Sequence, residues 1–421
     1  MKKRWDFTAM MSMGQKLFES IHRKKRMAHA NHDVHLLART IQEWLPQGIQ
    51  SIIDGTYTPR FLKRYYFKEE MLDQLHLSDR VLQHLILQQL KPTFSHIMNP
   101  NCYHLHGPSG VQMATLRLRA VLATQNPKYI IRADIRSYYK SIQHHVLIED
   151  INRYYTDPKV QRMLENIIKN PIETPRGYKN ADNGIALRGP LSQFFSALYL
   201  KPLDDAFDSM DVVYLRYQDD LIILCKTKRQ LERCKRRLMS VLQERHLQLS
   251  RKKTRIGAIN SGFHFLGIQY LETQSPNNTN VPQNLTPTAA NDPFAEECLL
   301  FKQTGGGNNS LLSTERENSG QISIIPHART LRNAREQVRL MVIDGFSTAR
   351  IKRYLNAWLT WWVRTSQSWH YQTVLSQFIY YCRDRYIAGI AMALLLTKDR
   401  EIGTPVGLAA GLDLVATAPG L

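Results

Sequence analysis

The chain has 421 residues, 43% of them hydrophobic, enough to bury a large core and to divide into two or three domains. Lysine and arginine number 56 against 36 acids, a formal charge of +20, and such an excess points to a polyanionic partner, nucleic acid or an anionic membrane surface. No apolar run reaches the roughly 18 residues that span a bilayer, the basic N-terminus has no uninterrupted apolar stretch of the secretory kind, and the five cysteines form no C-x-x-C pair. These features argue against a membrane protein, a zinc ribbon and a disulfide scaffold, and set the expectation of a cytoplasmic protein.

Residues 1–58 mix a basic cluster, His22 to Arg26, with apolar residues at helical spacing (Ile41, Leu45, Ile49, Ile52). The charge is either a solvated helix face or a nucleic-acid contact. From Asp79 an amphipathic helix is expected, with Val81, Leu85, Leu87, Leu90 and Phe94 as its core face. The glycines of the following loop, His104 to Gly110, serve either a tight turn or close approach to a ligand. Residues 126–275 alternate strand, helix, hairpin and helix, which predicts an α+β domain with an antiparallel sheet and helices on one face. Tyr129 to Ile135 reads as a buried strand ending in Asp134, and Val212 to Cys225 as a β-hairpin with Asp219 and Asp220 at its tip. Aspartate is common in turns, so alone the pair could be solvated. With Asp134 on the same sheet, the three would hold paired divalent cations for in-line phosphoryl transfer. Asp204 and Asp205, in a helical stretch, read as structural.

Lys228 to His246 is predicted helical, with Leu231, Cys234, Leu238, Val241 and Leu242 as one stripe. Between Glu272 and Ile325 Asn, Thr, Gln, Pro, Ser and Gly dominate, the composition of a flexible linker, although Phe294 to Phe301 could dock. From Pro326 two helices are expected, the first stopping at Asp344-Gly345 and the second capped by Ser347. Their apolar faces hold Leu331, Ala334, Val338, Met341 and Val342, then Ile351, Leu355, Trp358, Leu359 and Trp362. Arginines 329, 332, 335 and 339, and Arg350 and Arg353, decorate the other sides. Tyr386 to Thr397 is too short to cross a membrane and reads as a core helix.

Tyr217-Gln218-Asp219-Asp220 resembles the Y-x-D-D signature of reverse transcriptases, and Asp134-Ile-Arg-Ser-Tyr-Tyr139 resembles their first carboxylate motif. A Ser192-Gln193 box lies between the two, as the order of the family's motifs requires. From about residue 60 to 365 the chain is most similar to bacterial group II intron-like and retroelement enzymes. The resemblance implies a right-hand polymerase: an N-terminal extension and fingers (1–125), a palm (126–275, with a fingers segment near 150–188), a flexible insertion (276–325), a helical thumb (326–366) and a short C-terminal extension (367–421). It implies Mg²⁺, two ions with Mn²⁺ as a possible substitute, held by Asp134, Asp219, Asp220 and the carbonyl of Ile135. Partners would be dNTPs, a DNA or RNA primer, a structured RNA template and the RNA–DNA duplex. Arg80 falls on the family's fingers helix, and the thumb arginines on the duplex-gripping side.

Tyr139 occupies the position that blocks a ribose 2′-hydroxyl, or is a half-buried core tyrosine. Lys253 matches the motif lysine that protonates pyrophosphate or holds triphosphate, and Lys252 beside it is the other choice. Phe263-His-Phe-Leu-Gly267 resembles the primer-grip turn. The family's Q-G-x-x-x-S-P box is altered to Gly184-Ile-Ala-Leu-Arg-Gly-Pro-Leu-Ser192-Gln193. Here Arg188 could contact triphosphate or template, and Ser-Gln resembles the enzymes of diversity-generating retroelements. No Cys/His nuclease pattern follows residue 366, which points away from an ordinary mobile intron protein and toward a domesticated, retroelement or antiviral-defence role. The alternative is an RNA-binding, maturase-like protein that keeps the fold without polymerising.

Overall fold

Asp6 opens the first helix, α1 (Phe7–Lys24), by accepting the Thr8 amide, and α2 (Asp33–Arg39) and α3 (Ile41–Asp54) follow, the last ending on Gly55 at φ +73. The structure is a computed structural model that describes residues 5–67, 70–186, 189–260, 262–272 and 322–366. It forms two units, one of residues 1–114 and 126–259, the other of 115–125 and 260–421.

In the first unit, β1 (Leu62–Phe67) and β2 (Glu70–Gln74) make an antiparallel hairpin that leads to α4 (Leu77–Ile97). Val81, Leu85 and Leu90 are buried as their spacing predicts, while Leu87 and Phe94 are only half-buried and Leu82 and Ile86 join the core. The cause is that α1 and α3 both pack on α4, so it buries more than one stripe. Where the sequence reads as an open loop, Tyr103–Ser109 winds as 3₁₀ turns into α5 (Gly110–Gln125), whose residues from Thr115 onward belong to the second unit.

The remaining elements of this unit run β3 (Tyr129–Asp134), α6 (Tyr138–Ser141), α7 (His144–Tyr154), α8 (Pro158–Ile168), β4 (Ile172–Thr174), β5 (Gly177–Lys179), α9 (Ser192–Tyr199), α10 (Lys201–Asp208), β6 (Val213–Tyr217), β7 (Asp220–Cys225), α11 (Lys228–Glu244) and β8 (Arg255–Ala258). One sheet has the order β2-β1-β4-β5 and the other β6-β7-β3-β8. The second is antiparallel throughout, and β3 pairs β7 so that Asp134 lies opposite Asp220. Successive strand residues face opposite ways. Ile131, Ala133, Leu221 and Ile223 therefore meet the Leu231, Cys234 and Leu238 stripe of α11 in the core, leaving Arg132, Asp134 and Asp220 for the other face. A Thr227–Gln230 capping box starts α11.

In the second unit β9 (Phe263–Phe265), β10 (Ile268–Glu272) and β11 (Ile322–Pro326) form an antiparallel sheet in the order β11-β10-β9. The last residues of the stretch expected to be a linker are thus a strand: Ile322, Ile324 and Ile325 are β-branched and pair along β10. Helices α12 (Ala328–Ile343) and α13 (Thr348–Ser366) pack together, with Leu331, Ala334, Val338 and Met341 of one and Ile351, Leu355, Leu359 and Trp362 of the other buried. Trp362 is core, Trp358 half-buried and Trp361 exposed. The Phe294–Phe301 segment, the rest of the expected linker, the 386–397 helix and the C-terminal extension lie outside the described residues. Among the described residues no helix is long and apolar enough to cross a membrane.

Candidate active site

β3 delivers Asp134 to the centre of its sheet because Ile130, Ile131 and Ala133 are fully buried and carry the strand through the core. The β6–β7 hairpin closes with Tyr217 paired to Asp220, so Gln218 and Asp219 form a two-residue turn. Gln218 adopts φ +57, the left-handed region in which a non-glycine residue is disfavoured. Asp134, Asp219 and Asp220 are neighbours at one end of two paired strands. Among the described residues no three His, Cys, Asp or Glu side chains are drawn together tightly enough to count as a metal cluster. Asp134 Oδ1 is instead 3.0 Å from Lys253 Nζ.

The carboxylates disturb one another. Burial, then Asp219 and Asp134, push Asp220 up to about 6 against the opposing pull of Arg132 and Lys253. Burial, with Asp134, also raises Asp219, though its own backbone amide opposes the shift. The two cations therefore leave negative charge uncompensated. A donor set made only of oxygens with a deficit of positive charge fits a hard divalent cation. The carbonyl of Ile135 suits the same set. Ile135 bridges Leu249 through hydrogen bonds made by its neighbours, Ser250 N to the Asp134 carbonyl and Arg136 N to the Gln248 carbonyl, 2.8 Å each, so its own carbonyl stays outside the bridge.

Tyr139, half-buried, points its hydroxyl at Ser196 Oγ (3.4 Å) and borders a cavity of about 550 Å³. Gln193 and Gln218 line the same cavity, as do Arg80, His84 and Lys91 of α4. The positions 80, 84, 87, 91 and 94 fall on one helical stripe, which accounts for Leu87 and Phe94 being half-buried. Ser192 is buried at the start of α9, its hydroxyl donating to the Ala186 carbonyl. Arg188 lies outside the described residues. In the second unit Arg329, Arg332 and Arg353 are exposed and Arg335 half-buried. Arg339 pairs with Glu336, and Arg350 lies 3.9 Å over the Phe346 ring. Arg64 of β1 is committed to Asp73 at 2.6 Å.

Three residues around the turn were not singled out from the sequence for the site. Arg216 is fully buried and makes a two-pronged ion pair with Asp204, 2.7 Å from Nε and 2.5 Å from Nη2. His104 Nδ1 accepts the Gln218 amide at 3.1 Å, and its Nε2 lies 3.1 Å from the Gln193 carbonyl. Burial, helped by Arg216, lowers the His104 pKa to about 3, so the ring is neutral. A signal was available: Arg216 is a cation inside the apolar run Val212 to Tyr217.

An antiparallel sheet with acids at a strand end and at the adjoining hairpin tip, helices on its far face, has the form of a polymerase palm. Residues 70–270 match the family model described as reverse transcriptase (RNA-dependent DNA polymerase). Over those residues the chain resembles a reverse transcriptase domain, and its α+β fold has the form of a right-hand polymerase. Protein YkfC of Escherichia coli (strain K12) is 22% identical over 267 residues, 53% of this chain and 70% of that protein. Among solved structures, apo telomerase from Candida tropicalis truncated from its C-terminal domain aligns at TM-score 0.38 and 16% identity, over 51% of this chain and about half, 53%, of that one. Telomerase from Candida albicans with the TWJ fragment of telomeric RNA aligns at 0.40 and 11%, over 86% of this chain and 68% of that one.

Proposed function

We propose that the chain extends a DNA or RNA primer on an RNA template with dNTPs, and that Asp134, Asp219 and Asp220 hold the divalent ions for that reaction. The observation that carries this is the register of the palm sheet: Asp134 pairs directly with Asp220, and Asp219 adjoins it in the turn. Mg²⁺ ions, or Mn²⁺ in their place, held by these carboxylates and the Ile135 carbonyl would activate the primer 3′-hydroxyl and neutralise the leaving pyrophosphate. Lys253, already within hydrogen-bond reach of Asp134, is the proton donor or phosphate contact on the leaving side. Tyr139 lies under the sugar and turns away a 2′-hydroxyl, with Ser192 and Gln193 beside it at the start of α9. The cations Arg80 and Lys91, with His84 between them, make the α4 lining of the cavity suited to a phosphate backbone. On α12 and α13, Arg329, Arg332, Arg335, Arg339, Arg350 and Arg353 supply the duplex grip.

The motif spacing and the Ser192-Gln193 pair favour a group II intron-like or retroelement type, with antiviral defence among the roles open to it. The test is primer extension on poly(rA)/oligo(dT) with Mg²⁺. The parent extends, and Asp219→Ala loses extension by at least about 10³-fold while still binding RNA. A parent that binds RNA but extends no primer on any template would make it a maturase-like binding protein instead.

A further inference from the structure

The turn that carries Asp219 does not hold itself. Gln218, at φ +57, is in a conformation that persists only where its surroundings dictate it. Both of its backbone polar atoms are taken by side chains outside the turn, one from the remote 3₁₀ segment and one from β6 of the hairpin itself. Its amide donates to His104 Nδ1 at 3.1 Å, and its carbonyl accepts from Arg216 Nη1 at 3.1 Å. His104 is fixed in turn by the Gln193 carbonyl, 3.1 Å from Nε2. Nδ1 faces an N–H and, at 3.4 Å, the Cys102 thiol, so Nδ1 is the acceptor and Nε2 carries the proton. The backbone reinforces this arrangement. Arg216 N donates to the Asn101 carbonyl at 3.0 Å, laying the segment before His104 alongside β6.

Arg216 is fixed as firmly. Asp204 binds it through both oxygens, the Ala197 carbonyl accepts from Nη2 at 3.3 Å, and the Tyr214 hydroxyl donates to Asp204 Oδ1 at 2.7 Å. Arg216 and Asp204 are 0% and 1% exposed. A buried ion pair seldom stabilises a fold more than apolar residues of the same shape would. Stability alone gives little reason for a guanidinium here, whereas the specific contact it makes, to the carbonyl one residue before Asp219, does.

We infer that His104 and the Arg216–Asp204 pair are positioning residues: together they clamp the Gln218–Asp219 turn so that the Asp219 carboxylate is presented beside Asp134 for cation binding. The inference rests on the polymerase reading for its link to turnover, but its effect on cation binding stands apart from that reading. It predicts that loosening the clamp weakens the metal site and slows turnover without touching nucleic-acid affinity.

Two independent changes test it. His104→Leu removes the acceptor of the Gln218 amide. The double change Asp204→Leu with Arg216→Met removes the ion pair whole, so that no lone charge is left buried. His104→Gln keeps one acceptor and one donor. Each protein is titrated with Mn²⁺, free ion being read by electron paramagnetic resonance. Each is then assayed for duplex affinity and for kcat and KM on poly(rA)/oligo(dT), with circular dichroism as a check on folding. Expected are Mn²⁺ Kd values raised about 10-fold or more for His104→Leu and the double variant, kcat lowered about 10²-fold, KM for dNTP and duplex Kd within about twofold, and His104→Gln in between.

His104→Leu and the double variant binding Mn²⁺ and turning over like the parent would overturn the clamp while leaving the polymerase standing. So would equal losses of Mn²⁺ binding, duplex binding and helical signal, which would make these residues merely structural. Should the parent itself extend nothing, the polymerase reading fails, and the Mn²⁺ titrations still decide what the clamp does.

Discussion

Replacing Asp220 by asparagine should make the metal-free protein more stable while weakening its hold on cations. Asp220 sits in its folded environment at about 6, against an ordinary 3.8, chiefly through burial and then through Asp219 and Asp134. Between those two values the folded chain holds more protons than the unfolded one. Stability therefore falls as pH rises through this window, and the full penalty is present above about pH 6. A difference of about two pH units corresponds to about 3 kcal/mol, and partial solvation of the carboxylate reduces this to on the order of 2 kcal/mol. Asparagine keeps the shape and removes the charge. In EDTA at pH 7.5, Asp220→Asn should melt about 4–8 °C above the parent, and the gap should close as the pH is lowered toward 4. Saturating Mg²⁺ should narrow or reverse the order, because a bound cation stabilises the folded state in proportion to RT ln(1 + [L]/Kd) and the parent binds it more tightly. Scanning calorimetry at several pH values measures this. A variant that melts at or below the parent in EDTA, or a gap indifferent to acid, would show that the three acids are not in electrostatic conflict and would refute the reasoning.

The same raised carboxylates make cation affinity pH-dependent. Mn²⁺ affinity measured by titration should climb as pH rises through about 6 and level off above it, with the step missing in Asp220→Asn. Tyr139→Ala should relax sugar selection, raising rNTP relative to dNTP incorporation by about 10–100-fold in competing extension assays while total extension persists. An unchanged ratio would return Tyr139 to the role of a packing residue.

What was legible in the sequence is what depends on near neighbours. The hairpin could be read because apolar runs flank two acids, and the α11 stripe and the α12 and α13 faces because their periodicity spans several turns. Lys253 was singled out by resemblance rather than pattern, and its proximity to Asp134 was not legible, since 119 residues separate them. The clamp was illegible for a related reason. His104 meets a backbone amide 114 residues away, and Arg216 meets Asp204 across a strand and a helix end, so neither leaves a local signature. Asp204 read as structural, which fits its ion pair, but nothing in KPLDDAF says that its partner holds the turn before Asp219. The burial of α4 beyond one stripe was hidden too, because it depends on α1 and α3 closing over it. Ile322 to Ile325 was absorbed into the linker because three isoleucines in four residues are too short a run to stand out from a polar neighbourhood.

Manganese in a crystal would test the central assignment most directly. Crystals grown with Mn²⁺, an RNA template with its DNA primer and a non-hydrolysable dNTP analogue should give two anomalous peaks, each in contact with both Asp134 and Asp219, with Asp220 alongside. Manganese bound elsewhere, or touching one of these aspartates without the other, would contradict the account.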